Sequence, residues 1–423
     1  MKLKLKFFSN QWLLSVVGVV SVFLIAYVSA LGNVQAFSSL QKMLWVLFAG
    51  MGIALGCVFG KQNASVPYLK VIGLAPVPYV IAACYTIAMV GIEGDTMGII
   101  PQAVSTTCFI IVDLLMVIAM IDLFHEKAVT LFFYALILAY LISFLIAIRD
   151  LGVEGVAAHF AGDETNLGYF EMHDIGVAVV PYILYYIYRL VLYQKKNRSL
   201  FVKLVILLGV LFLCGKRSGI VACAFGMVAI LIFLDKNNKT KNRHFARLLL
   251  LGAFVFSYLY VCVIKFGILK MVCDLLQINT MGRVEVYGWF EDQYNLTPFY
   301  FGRGFQYIRL YMEHERGNWM VNSFHYLHNS ILQIYIETGF WGFLMWFGFL
   351  LVWIPNKVRS IYGSNGYAFY AVLMTATVIM FTVDNVLTYP LYQVSLFMAL
   401  YGGLNDAANG WPKSLHMSEK LPL

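Results

Sequence analysis

Residues 201–234 read FVKLVILLGVLFLCGKRSGIVACAFGMVAILIFL, and after Lys203 the charges in this run are the adjacent Lys216 and Arg217. A helix needs about 20 apolar residues to cross a ~30 Å hydrocarbon layer. The run is too long for one crossing and barely long enough for two. Split at Gly215, it gives two short helices with Lys216 and Arg217 at the outward turn. An arginine at a bilayer centre costs ~2.5–3.5 kcal/mol even on the mildest scale, so the pair must face a wet cavity or an anionic ligand.

The rest of the chain has the same character. Of its 423 residues 61% are hydrophobic and 12% charged, with a mean hydropathy of +0.76; a soluble domain is excluded. Apolar runs of membrane-crossing length recur without the ~10-residue alternation of a transmembrane barrel. They predict an all-α polytopic membrane protein, a single transmembrane domain over 1–423 with twelve candidate spans: 11–31, 43–60, 71–92, 98–121, 128–148, 175–193, 200–214, 218–234, 248–268, 328–354, 366–384 and 389–404. With the N-terminus inside, most of the 30 Lys and Arg fall in inward connections, so both termini are expected in the cytoplasm. This bias accounts for most of the net charge of +8 and removes the case for a nucleic-acid partner. The seven cysteines form no CxxC pair and sit in or beside apolar spans, which argues against a disulfide framework or a zinc site. The basic start KLKLKFF reads as the flank of an uncleaved first helix.

Two outward loops are long, 149–174 and 269–327, the second between the ninth and tenth spans. Long loops of compact proteins usually carry function. The first holds Glu164, Glu171, His173 and Asp174 in GDETNLGYFEMHDIG, of which Glu171, His173 and Asp174 are candidates for binding the hydroxyls of an acceptor. The second is aromatic-rich, Trp319 included, fit either for stacking on ligand rings or for packing a small core of its own.

Four elements over about 215–345 form a pattern: KRSG at Lys216–Gly219, GRVE at Gly282–Glu285, GRG at Gly302–Gly304, and HNSILQIYIETGFWG at His328–Gly342. In these the chain resembles the O-antigen polymerase and O-antigen ligase superfamily of bacterial surface-polysaccharide assembly. The resemblance implies a glycosyltransferase of the cytoplasmic (inner) membrane, active on its outer face. It would invert configuration, need neither metal nor other cofactor, and use an undecaprenyl-diphosphate-linked oligosaccharide as donor. His328 is then the general base for the acceptor hydroxyl, an imidazole suiting proton transfer near neutral pH. Guanidinium groups offer forked, permanently charged donors to a diphosphate, which makes Arg217 and Arg283 the first candidates and Lys216 and Arg303 secondary ones. Membrane lipid, a flippase and a chain-length regulator are the partners this would involve.

Plainer readings stand beside each of these. Arg217 also suits a headgroup anchor, Arg283 a loop ion pair with Glu285 or Glu291, Arg303 an ordinary turn, and His328 with Asn329 a helix start. His325 and His328 have no third ligand at a recognisable spacing. If 328–345 were one helix, Glu337 would face away from His328, whereas Gly339 and Gly342 would share its face and permit close packing beneath it. Asp113 is expected in a buried hydrogen bond and Asp384 either there or in the cavity, since neither is tolerated bare in lipid; Asn329 is a further candidate for the acceptor side of that cavity. A repeat polymerase is the leading function and a ligase acting on lipid A-core the alternative. A lipid-linked-oligosaccharide flippase would also need a cationic cavity, but transporters commonly show two related halves, which this lopsided chain lacks.

Overall fold

The computed structural model describes residues 11–31, 38–59, 66–95, 97–160, 173–193, 197–235, 237–280, 282–315 and 326–409. Among these residues the chain is helical, without strands. The helices are α1 (Gln11–Leu31), α2 (Ser38–Phe59), α3 (Val66–Ile72), α4 (Val77–Glu93), α5 (Ile99–Phe124), α6 (Lys127–Phe160), α7 (His173–Ala178), α8 (Val180–Tyr193), α9 (Arg198–Leu213), α10 (Arg217–Val228), α11 (Lys239–Lys265), α12 (Ile268–Leu275), α13 (Arg283–Trp289), α14 (Tyr307–His314), α15 (Ser330–Gly348), α16 (Ile354–Phe381) and α17 (Pro390–Asn409).

The all-α membrane architecture agrees with the sequence. By length and apolarity five stretches can cross a bilayer among the described residues: Ile99–Phe124, Lys127–Val156, Asp174–Leu192, Lys239–Lys265 and the 52-residue Ser330–Phe381. A sixth is the pair α3 and α4, bent by 45° where Pro76 precedes α4. The last of the five merges two predicted spans across a break at Gly363 (φ 71°). Among the described residues, shorter apolar helices lie at Val16–Val28, Met43–Leu55 and Arg217–Phe233, and α9 has 16 residues, just under the length of an ordinary crossing.

Helices α16 and α17 are the hub. Helix α16 packs on α10, α11 and α17, and α17 packs on α5 and α8, while α1 with α6 and α2 with α5 form the outer pairs. Large side chains fill this centre, among them the fully buried Tyr68, Tyr182, Tyr186, Tyr188, Tyr370 and Tyr392. Five of the six hydroxyls bond a backbone carbonyl or a neighbouring hydroxyl, Tyr186 being the exception: Tyr182 donates to Val129 O at 3.0 Å, and Tyr392 and Thr377 share a bond of 2.6 Å. In a low-dielectric interior an orphaned hydroxyl would be costly. Asp113 is held as expected, its Oδ1 accepting from Trp45 Nε1 at 2.6 Å.

Of the expected outward loop 269–327, the described residues 269–280 and 282–315 hold α12, α13, a 3-10 turn at Glu291–Gln293 and α14. Likewise the start of the other expected loop, 149–160, continues α6 as helix beyond a break at Gly152.

Candidate functional site

Three breaks between helices meet at one place. The first is the turn at Gly215, whose positive φ of 63° reverses the chain between α9 and α10 as the split at Gly215 predicted. The second is the lead-in to α15. The third is the irregular segment 382–389 between α16 and α17. At their junction lies Asp384, its side chain fully buried.

The Asp384 carboxylate organises the site. Its Oδ2 lies 2.6 Å from Lys216 Nζ, an ion pair in which the lysine side chain is only 10% exposed. Its Oδ1 accepts from the Tyr389 hydroxyl at 2.8 Å and from Asn385 N at 2.9 Å, and it stands 3.8 Å from Nδ1 of His328. Burial alone would raise this carboxyl, but the His328 imidazole, the Lys216 ammonium and the Tyr389 hydroxyl outweigh it and hold the group below the ordinary carboxylate range. Asp384 is thus charged at neutral pH. Its backbone carbonyl accepts from Ser330 Oγ at 2.9 Å and Ser330 N at 3.3 Å, tying this segment to the first turn of α15.

His328 is not on a helix. Helix α15 starts at Ser330, and the fully buried Asn329 is its N-cap, the side-chain oxygen accepting from Leu332 N at 2.9 Å. His328 precedes the cap with φ of 51°, a left-handed conformation uncommon for a side-chain-bearing residue. Its carbonyl accepts from the Tyr287 hydroxyl at 3.3 Å, and its side chain is 26% exposed. Helix α15 is also interrupted, at Gly339 (φ 70°, ψ −174°). The expectation that Gly339 and Gly342 lie on the His328 face of one continuous helix is therefore corrected: the helical repeat does not run from 328 to 345. Glu337 does face elsewhere, its Oε1 accepting from Gln333 Nε2 at 3.1 Å and Ile308 N at 3.2 Å.

The break at Gly339 has a partner in the GRG turn. Arg303 N donates to Ile336 O at 3.0 Å, Gly304 N to Glu337 O at 2.9 Å and Phe340 N to Tyr300 O at 2.9 Å. The turn replaces helix bonds that the break removes, so a carbonyl at membrane depth stays satisfied. Arg303 itself is exposed, its Nε donating to Gln293 O at 3.2 Å. Ile336 lies six residues into α15, about 9 Å along the axis from its start, which sets the Arg303 backbone apart from Asp384.

The other candidates fall as follows. Arg217 opens α10 beside Lys216 and is exposed. Arg283 opens α13 and is half-buried. The buried Tyr287 phenol is raised by its burial, against which the Arg283 guanidinium acts, while the Asp384 charge adds to the rise. Asp174, in α7, is half-buried, and two residues on Gly176 packs so closely that a Cβ there would lie 3.2 Å from Lys216 Cβ. His173 starts this helix, though its side chain, with Glu164, Glu171, Trp319 and His325, lies outside the described residues. Tyr287, Tyr389 and Asn385 were not singled out from the sequence. Tyr389, just before Pro390, had a signal in retrospect: a polar DNVLTYP stretch interrupting apolar helix.

Residues 202–347, about a third of the chain, match the family model described as O-antigen ligase. This match supports the resemblance to the O-antigen polymerase and ligase superfamily. It covers Lys216, Arg217, Arg283, Arg303 and His328 and stops short of Asp384. No curated protein matches the chain. Members of the O-antigen ligase family are glycosyltransferase-like membrane enzymes, and a histidine beside a buried carboxylate, with two nearby arginines, is chemistry such an enzyme can use.

Proposed function

We propose that the protein is a polysaccharide repeat-unit polymerase, moving a growing glycan from undecaprenyl diphosphate to the terminal sugar of the next lipid-linked repeat. The observation that carries this reading is His328, partly exposed with Nδ1 turned to the buried charge of Asp384. A carboxylate on that side orients an imidazole and stabilises it once protonated, leaving Nε2 to act as base. In the proposed step the acceptor hydroxyl gives its proton to His328 Nε2 as its oxygen bonds the anomeric carbon. The bond from that carbon to the diphosphate oxygen breaks, and undecaprenyl diphosphate leaves as an anion with inversion at the sugar.

The leaving charge needs fixed cations. Lys216 is engaged with Asp384, so this task is assigned to Arg217 and Arg283, with Arg303 farther along the path. Asn329 is assigned to holding the His328 segment, and Asp174, His173 and Glu171 to the acceptor side. The reading includes twelve crossings of the inner membrane, both termini in the cytoplasm and His328 on the outer face, with a flippase supplying the donor and a chain-length regulator as partner. A ligase reading, with lipid A-core as acceptor, is favoured by the likeness of residues 202–347 to the O-antigen ligase family.

Purified protein reconstituted with synthetic undecaprenyl-diphosphate-linked repeats separates the two. A ladder spaced by one repeat, lost in His328→Ala, supports the polymerase. A single transfer that requires added lipid A-core means a ligase. Silence in both with a verified native donor overturns both readings.

A further inference from the structure

Helix α12 follows α11 directly, after a turn at Gly267 with φ of 68°, and has three distinct faces. At about 100° per residue, Leu269 and Cys273 share one side; Cys273 is buried and Leu269 packs on the core. Roughly 130° away lie Ile268, Met271, Val272 and Leu275, all exposed, with Met271 at 62% and Leu275 at 79%. The third side carries Lys270, Asp274 and, just beyond, Gln277, all exposed.

A helix wholly in water would not keep a bare apolar face, and one wholly in lipid would not keep a charged one. Protein, hydrocarbon and water each match one face of α12. The apolar face is also continuous with the exposed apolar side of α11, where Leu248, Leu251, Val255 and Leu259 are between 46% and 68% exposed, and with Phe266 at 70%. Since α11 is a membrane-crossing stretch, that side is lipid-facing.

We infer that α12 is an interfacial helix, lying in the bilayer surface on the His328 side with Met271 and Leu275 in the acyl boundary and Lys270 and Asp274 in water. Its inner side, with Cys273 buried and Leu269 packed on the core, faces the protein. Helix α13 with Arg283 and Tyr287 begins eight residues after α12 ends, so on the proposed function this placement brings Arg283 near headgroup level, where a lipid-borne diphosphate would lie. The occupant of the apolar face is membrane lipid, not a second protein.

The test is a pair of spin labels, at Leu275→Cys and Asp274→Cys, in full-length protein with its native cysteines replaced by serine or alanine, held in phosphatidylethanolamine–phosphatidylglycerol nanodiscs. The Leu275 label should collide severalfold more with oxygen than with a water-soluble nickel chelate, and the Asp274 label should show the reverse. Equal access of both labels to the chelate overturns the inference, as does a Leu275 label shielded from both reagents, which means a protein partner covers the face. Because cysteine replacement can disturb folding, Leu275→Trp in the otherwise native chain gives a second reading. Its added emission should fall by about half or more in brominated lipid; no quenching beyond that of the native tryptophans overturns the inference.

Discussion

Asp384 Oδ1 stands 3.8 Å from His328 Nδ1, while its other oxygen is paired with Lys216 at 2.6 Å. The buried carboxylate links the KRSG turn, 168 residues before it in the chain, to the histidine, 56 residues before it. Loss of charge on Asp384 therefore reaches both partners.

For turnover, His328→Ala should reduce ladder formation by about 10²–10⁴-fold, the range a general base supplies. Asp384→Asn should fall less far, about 10-fold or more, because the imidazole remains but loses the charge that orients it. Donor binding, read by native mass spectrometry, should hold in both variants. Full activity of His328→Ala in the reconstituted assay removes the general-base role.

For stability, Lys216→Met leaves a buried carboxylate without its cation and should cost about 3–5 kcal/mol, measured as a fall in the thermal unfolding midpoint. Adding Asp384→Asn should recover part of that loss. The neutral amide can still accept from Tyr389 and Asn385 N through Oδ1. If the double variant is no more stable than Lys216→Met, the ion pair is not what Lys216 contributes.

The pH dependence has a definite sign. The Asp384 carboxyl is lowered by its partners, so its contribution to stability is complete above the unfolded value of about 3.9 and is lost as pH falls below that towards the lower folded value. Unfolding midpoints of the wild type and Asp384→Asn should differ by a constant amount from pH 5 to 8 and converge below about pH 4. A gap that closes between pH 6 and 8 would mean that the carboxyl is not held low.

Gly302 and Gly339 make a sharper structural prediction. Both have positive φ, and a Cβ on Gly339 would lie 2.3 Å from Phe301 C and 2.6 Å from Gly302 N, backbone atoms that cannot step aside. Gly339→Ala should cost roughly 2–4 kcal/mol from strain and overlap together. Gly215→Ala, also at positive φ but with open space around its Cβ, should cost only the conformational strain, about 1 kcal/mol. Equal unfolding midpoints for the two variants would show that the GRG contact is not tight.

Much of the site was legible from residue type. Lys216 and Arg217 stood out because charge is costly in an apolar run, and His328 because it opens a recognisable motif. Asp384 was visible only as an acid that needed a partner, since nothing along the chain says that segment 382–389 meets the turn at Gly215. Tyr287 and Tyr389 were hidden among many aromatics, most of which pack the core.

What the sequence by itself determined is the class of molecule and the residues able to carry charge and protons. Both follow from local transfer free energies: apolar runs must enter lipid, and ionisable groups must avoid it. Only the tertiary structure decided which ionisable groups meet, that α15 breaks at Gly339 and is clasped by the GRG turn, and that His328 sits before the N-cap rather than on the helix. Those outcomes depend on contacts between segments far apart in the chain, where backbone groups and buried charges find partners that no local pattern specifies.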